Sequence, residues 1–341
     1  MNELIIIFVV FVFVLGLCIG SFLNVVALRA ISGESIVFPS SKCPKCQNPL
    51  KWYDNIPLIS YIILRGRCRN CNEHISKQYP IVELSTAIMF LISAVYCVAT
   101  VKNIETTSVL DIIAKIATLW VVVSSAIVMI ITDFKEKCVF TTHSFVFIIS
   151  AVLFAFVKNG IHFVFPHTDL INALIGFVVG VAVMEVIVGI FYLILKKRIF
   201  GEGDTYIVAG IGALLGWKYL LLTLFLSVIV QALCFIPSYF KRLYSEKSYK
   251  VLWAFGALVI SAAALKCYSL FFDVYYDIVI AASLIVAGLG IYTCLLILKS
   301  IRKKQDTELT YLPFGPALLI TSFILLFFGH QIVTVFKPLL L

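Results

Sequence analysis

The sequence predicts an all-α polytopic membrane protein with about 8–10 transmembrane helices and a small cysteine-containing domain on the cytoplasmic side. Two observations predict the membrane fold. Of the 341 residues, 62% are hydrophobic and only 13% are charged, and the mean hydropathy is +1.06. Apolar stretches of about 20 residues, the length that crosses a bilayer core as a helix, also recur along the chain. A soluble domain is closer to half apolar, so this composition excludes a soluble globular fold.

Ten stretches are candidate spans. They lie near residues 4–28, 81–101, 112–132, 143–157, 170–195, 205–217, 219–237, 251–266, 275–298 and 314–336. The first has no basic region before it, which predicts a retained span and not a cleaved signal peptide. The apolar run 205–237 is interrupted only around Gly216. As one helix it would be about 50 Å long, so we expect a short helix followed by a second one.

The distribution of positive charge predicts the orientation. The segments 29–78, 133–142, 196–203, 240–250 and 299–311 together carry 21 of the 27 Lys and Arg residues. Under the positive-inside rule these segments are cytoplasmic, and both chain ends lie on the far side of the membrane. The net charge of +9 then reflects topology and contact with the lipid bilayer. It does not indicate nucleic-acid binding.

Four cysteines form a metal-binding pattern in the segment 29–79. They occur as two C-x-x-C pairs, Cys43 with Cys46 and Cys68 with Cys71, separated by 21 residues. This spacing is typical of a tetrahedral four-thiolate zinc site. Bound zinc would also stabilise a segment that is too short to have much core. A redox-active pair would explain one C-x-x-C but not both, and replacement of one ligand by His74 is a second alternative.

Two aspartates are predicted to meet at the cytoplasmic membrane face. The third span ends just before Asp133, and the sixth begins just after Asp204, which lies in a Gly-x-Gly-Asp sequence. Two neighbouring carboxyl groups share one proton, so that one can take a proton from water while the other, protonated, polarises a peptide carbonyl and later protonates the leaving nitrogen. Gly201 and Gly203 would let backbone and substrate approach the second acid closely. The pattern predicts an intramembrane aspartyl protease.

Each acid also has a less specific interpretation. Asp133 could be a solvated loop residue at the end of a span, and Asp204 could be a helix N-cap. Glu185 is a rival candidate because it lies well inside the fifth span, where it could hydrogen-bond a neighbouring helix or line the same cavity.

Several motifs resemble those of the bacterial prepilin peptidases, the type IV leader peptidases of the GxGD intramembrane aspartyl protease family. The matching stretches are Gly20–Val26, the first cysteine pair, Trp52–Tyr61, Arg65–Cys71, Tyr79–Glu83, Gly201–Asp204 and Leu312–Ala317. The resemblance implies that Asp133 and Asp204 are catalytic and that Cys43, Cys46, Cys68 and Cys71 bind zinc. It implies a multi-pass protein of the bacterial inner membrane that removes the basic leader from type IV prepilins or secretion pseudopilins. It also implies N-methylation of the new amino terminus with S-adenosylmethionine.

This resemblance divides the chain into five parts. They are the first span at 1–28, the zinc domain at 29–79, the protease core at 80–239, an extra hairpin with a basic loop at 240–311, and the final segment and span at 312–341. The chain departs from the family in lacking the Ile-Pro or Leu-Pro pair after Asp133 and the Lys after Asp204. Two alternatives stay open, namely a leader peptidase without methyltransferase activity and a non-enzymatic transport or assembly protein.

Overall fold

The computed structural model describes residues 2–99, 108–157, 169–196, 201–245 and 314–336, together with residues 253, 254, 257, 261, 288 and 292. The chain divides into two compact units. One comprises Met1–Ser227 and Pro313–Leu341, and the other comprises Val228–Leu312. The first unit contains both candidate sites. The expected spans at 251–266 and 275–298 lie outside the described residues apart from the isolated positions named above.

Outside the cysteine segment, which has mostly turns, two isolated β-bridges and a short 3-10 helix at Trp52–Asn55, the described part of the chain is mainly helical. Its helices are α1 (Asn2–Ser32), α2 (Ile59–Ile63), α3 (Gln78–Ala99), α4 (Val109–Glu136), α5 (Thr141–Phe156), α6 (Leu170–Leu195), α7 (Glu202–Leu215), α8 (Trp217–Ser245) and α9 (Gly315–Phe336). Helices α1, α3, α4 and α6 are long and apolar enough to cross a membrane, and three shorter apolar helices accompany them. These helices confirm the predicted all-α polytopic fold, and a helix is present at each expected span that the structure describes.

Helix α4 continues past the expected end of the third span. The Ser108 hydroxyl accepts a hydrogen bond from Leu110 N–H at its start, and the helix ends where Lys137 adopts a left-handed conformation with φ 51°. The helix end at Glu136 agrees with the predicted span end near residue 132 to within several residues. The residues after Thr132 include neither Gly nor Pro, so nothing local breaks the helix there. As a result, a helical backbone holds Asp133.

Helix α7 is short and enclosed by protein. It ends at Leu215, and Gly216 has a positive φ of 78° before α8 begins, which confirms the predicted division of the 205–237 run. A Cβ atom on Gly180 of α6 would lie 2.8 Å from Val208 O of α7. The glycine therefore allows the two backbones to pack closely. Because residues Ile207 to Leu215 are all buried, a helix of 14 residues is stable without crossing the bilayer.

Candidate active site and metal site

The structure brings Asp133 and Asp204 to the same end of the helical core. Asp133 lies in the last turn of α4 and Asp204 in the first turn of α7. The two carboxyl groups are close enough for their charges to interact. Asp133 is only 4% exposed, so the interpretation as a solvated loop acid was wrong. Among the described residues its Oδ2 atom has no hydrogen-bond partner.

Asp204 is the third residue of α7. Gly201 is the N-cap, and its backbone N–H donates to Asp204 Oδ2 over 3.1 Å. The interpretation of Asp204 as the N-cap was therefore wrong, because the helix begins at Glu202. A Cβ atom on Gly203 would lie 2.5 Å from Val139 Cβ. Any larger residue at position 203 would clash with the segment that follows α4, which explains the second glycine of the Gly-x-Gly-Asp sequence.

Gly315 forms a further wall of the site, a role that was not predicted from the sequence. An added Cβ atom would lie 2.8 Å from Asp133 Oδ2 and 2.9 Å from Ile207 Cδ1. The start of α9 therefore fits between α4 and α7 directly against the buried carboxyl group. The signal in the sequence was the Leu312–Ala317 motif, but only the fold shows that its glycine contacts Asp133.

Glu185 is a neighbour of the aspartate pair. The Thr205 hydroxyl donates to Glu185 Oε1 over 3.4 Å, which links α6 to α7 directly beside Asp204. This contact confirms the interpretation that Glu185 hydrogen-bonds a neighbouring helix. Its side chain is exposed, so it lies at the edge of the site.

The four predicted cysteines form one cluster. The Sγ atoms of Cys43, Cys46, Cys68 and Cys71 all lie within 4.8 Å of one another, and those of Cys43 and Cys71 are 3.8 Å apart. A tetrahedral zinc ion with Zn–S bonds of about 2.3 Å would separate its sulfur ligands by about 3.8 Å. The cluster therefore fits a metal ion such as zinc. In the described part of the chain this ligand group does not include His74.

The two cysteine pairs have the same backbone conformation. The N–H of Gln47 donates to Cys43 O over 2.9 Å, and the N–H of Asn72 donates to Cys68 O over 3.0 Å. Gln47 and Asn72 both have a positive φ, 58° and 57° respectively. Each pair is thus a tight turn that directs two sulfur atoms to the same point. This equivalence favours one shared metal site over a redox-active pair with an unrelated second pair.

Backbone groups around Cys68 favour its metal-binding form. Hydrogen bonds from the N–H groups of Cys71 and Asn70 lower the pKa of the Cys68 thiol to about 7. The thiolate is the form that binds a metal ion. An ion pair between Lys45 and Glu73 also joins the two turns.

Buried polar contacts fix this cysteine domain to the membrane helices. The carboxylate of Glu83 in α3 accepts a hydrogen bond from Leu58 N–H over 2.9 Å. The Asn24 amide of α1 donates to Tyr79 O in the first turn of α3 over 3.4 Å, which joins α1 to α3 next to this contact. Both Asn24 and Glu83 are buried. The cysteine domain is therefore held against α3 close to the points where its segment joins the end of α1 and the start of α3.

An integral membrane protein with two converging carboxyl groups has the arrangement expected of an intramembrane aspartyl protease. Residues 14–97 match the model of the bacterial Peptidase A24 N-terminal domain, and residues 120–236 match that of the type IV leader peptidase family. The chain belongs to the type IV leader peptidase family. This confirms the resemblance seen in the sequence and, with the apolar helices, a multi-pass protein of the inner membrane.

Several curated relatives are similar to this chain. "Prepilin leader peptidase/N-methyltransferase" of Myxococcus xanthus is 35% identical over 63% of this chain and 58% of the relative. The protein of the same name from Klebsiella pneumoniae is 30% identical over 64% of this chain and 89% of the relative. "Type 4 prepilin-like proteins leader peptide-processing enzyme" of Escherichia coli O78:H11 is 31% identical over 59% of this chain and 74% of the relative. No solved structure is significantly similar.

Proposed function

We propose that this protein removes the basic leader from type IV prepilins or pseudopilins with Asp133 and Asp204 as its catalytic pair. The observation that carries the proposal is the placement of two carboxyl groups from separate helices at one end of the core. One of them, Asp133, is buried and has an Oδ2 atom without a hydrogen-bond partner among the described residues. A buried carboxyl oxygen without a hydrogen-bond partner is unusual in a folded protein and is typical of a catalytic group.

The pair can perform both proton transfers of peptide hydrolysis. Repulsion between neighbouring carboxylates keeps one proton on the pair. The ionised carboxylate takes a proton from water, which attacks the peptide carbonyl, while the protonated carboxyl group donates to the carbonyl oxygen. The proton taken from water is then delivered to the leaving nitrogen. The hydrogen bond from Gly201 N–H holds one oxygen of Asp204 in place during these steps.

The proposed topology suits such a substrate. With the cysteine domain in the cytoplasm and both chain ends on the far side, Asp133 and Asp204 lie at the cytoplasmic interface. A prepilin combines a short cationic leader with an apolar helix. The helix can pack against the spans within the bilayer while the leader stays in water. The bond between them then lies level with the two aspartates.

The cysteine domain supports a second part of the proposal. Cys43, Cys46, Cys68 and Cys71 hold a zinc ion that stabilises the fold of the domain. The chain also methylates the new amino terminus, with S-adenosylmethionine as methyl donor. Support for methylation comes from the names of the relatives, and we assign no residue to the methyl donor.

Mass spectrometry of a co-expressed prepilin tests both activities, because it reports leader loss and the added methyl group together. We expect Asp133→Asn and Asp204→Asn each to lower cleavage about a thousandfold or more, since neither amide can exchange the proton. Asp111→Asn is the matched control, because it makes the same change at the opposite end of α4. Wild-type cleavage by either active-site variant, at normal expression and insertion, would contradict the assignment.

A further inference from the structure

Glu185 lies on the exposed face of α6, at the open edge of the site formed by Asp133 and Asp204. Helices α6 and α7 pack antiparallel, with Gly180 against Val208 and Ala209. Continuing this register by four to five residues along both helices brings Glu185 level with Asp204 and Thr205. The hydrogen bond from Thr205 to Glu185, 3.4 Å long, occurs at this level. Glu185 is therefore beside the proposed reaction site.

The exposed side chains around Glu185 on α6 are apolar. On the same helix, Val178 is 62% exposed, Val186 is 60% exposed and Ile190 is 50% exposed, as expected for a surface that faces lipid. In the described part of the chain the ion pairs are Lys45–Glu73 and Arg69–Asp54, and neither involves Glu185. An acidic side chain on such an apolar surface, without a basic partner among the described residues, marks a candidate functional site.

We propose that Glu185 is a specificity-determining residue that binds a lysine or arginine of the prepilin leader close to the scissile bond. This inference rests on the proposed leader peptidase function. Thr205 orients one carboxylate oxygen towards the seam between α6 and α7, where Asp204 is partly exposed. A cationic side chain that enters this seam forms a charge-assisted hydrogen bond with Glu185. The resulting ion pair places the adjacent peptide bond against the aspartate pair.

The test uses full-length enzyme in detergent or vesicles and a set of prepilins in which each leader Lys or Arg is replaced singly by Gln. For the unmodified prepilin we expect Glu185→Gln to lower kcat/KM for cleavage about tenfold, which corresponds to one charge-assisted bond. For one leader variant, lacking the cation nearest the scissile bond, Glu185→Gln and the wild-type enzyme should cleave equally. Glu185→Lys should in turn prefer a leader with Glu at that position.

Three control variants test whether the leader preference belongs to Glu185 itself. Glu136→Gln removes an exposed acid at the end of α4, near Asp133 in sequence, and should not change leader preference. Thr205→Val removes the orienting hydroxyl and should weaken the same preference in part. Asp204→Asn should abolish cleavage of every leader. If this variant still cleaves prepilins, the proposed function itself is overturned, and not only the role of Glu185.

The outcomes that would overturn the role of Glu185 are specific. One is equal cleavage of the unmodified prepilin by Glu185→Gln and the wild-type enzyme. Another is an equal loss for all leaders, which would show a structural role. A third is normal cleavage with reduced methylation, which would place the new amino terminus, and not the leader, at Glu185. If Glu185→Gln is unstable, the Glu185→Lys variant provides the test. Its relative cleavage of the Glu-containing and the unmodified leader does not depend on how much folded enzyme is present, so a lack of preference for the Glu-containing leader would overturn the role of Glu185.

Discussion

The cysteine cluster and the aspartate pair are assembled in different ways. Cys43 and Cys71, whose sulfur atoms are 3.8 Å apart, are only 28 residues apart in the chain, and each cysteine pair forms a turn by itself. Asp133 and Asp204 come from separate helices with α5 and α6 between them, and Gly315 at the start of α9 lies against Asp133. The cluster therefore depends on local geometry, whereas the aspartate site depends on helix packing across the whole unit.

The two sites should therefore be sensitive to different perturbations. A domain of about 50 residues with a small core relies on its metal for stability. The aspartate site relies on close backbone contacts, so a single added methyl group can displace a carboxyl group. Loss of metal should therefore affect one region, and added side-chain volume should affect the other.

Metal removal has the largest expected effect. A structural zinc ion contributes about 10–16 kcal/mol to the folding of small zinc domains at neutral pH. We expect chelation or Cys43→Ser to unfold the cysteine domain while α3 to α7 stay helical. Limited proteolysis within residues 42–75, compared with circular dichroism of the whole protein, measures this. Cys18→Ser is the control, because Cys18 is an exposed residue of α1. An unchanged protease pattern after complete metal loss would contradict a structural role.

Added volume at Gly315 has the next largest expected effect. Its Cβ atom would lie 2.8 Å from Asp133 Oδ2, too close unless the start of α9 or the carboxyl group moves. Displacement of a reacting group by about 1 Å can cost about a hundredfold in rate. We therefore expect Gly315→Ala to lower kcat for prepilin cleavage by about that factor while zinc content stays unchanged.

Gly189→Ala is the matched control, because nothing lies within 4 Å of the Cβ atom that it adds in α6. It should cleave prepilin at the wild-type rate. Wild-type activity of Gly315→Ala would show that the start of α9 does not hold Asp133 in its reactive position.

The same contrast explains what the sequence could predict. The cysteine cluster was predictable residue by residue, because its spacing determines its geometry. The arrangement of the helices that brings Asp133 and Asp204 to one end was predictable from span order and charge. The end of α4 and the start of α7 were predictable only to within several residues, because apolar composition marks the membrane-spanning part of a helix and not the ends of the helix. The domain limits and the two spans at 251–266 and 275–298 stay predictions.

The contacts of Gly315 and Glu185 were not predictable. Each contact depends on which face of a helix packs against which neighbour. The rotation and register of a helix are set by many side-chain contacts together, and no local sequence pattern gives them. For Glu185 the sequence left several interpretations open, and the hydrogen bond from Thr205 confirms one of them, the contact with a neighbouring helix. Residue type and depth in a span can thus nominate a side chain, but only the fold shows what it contacts.

The smallest predicted effect concerns Glu83, which joins the two regions. Its carboxylate accepts the Leu58 N–H over 2.9 Å, and the side chain is 6% exposed. Glu83→Ala leaves this donor without its partner, at a cost of about 1–3 kcal/mol. Glu83→Gln keeps an amide oxygen that can accept the same bond. We therefore expect thermal unfolding in detergent to detect the first change more clearly than the second, with zinc content unchanged in both. Equal losses in the two variants would show that the negative charge of Glu83, and not its hydrogen bond, couples the cysteine domain to α3.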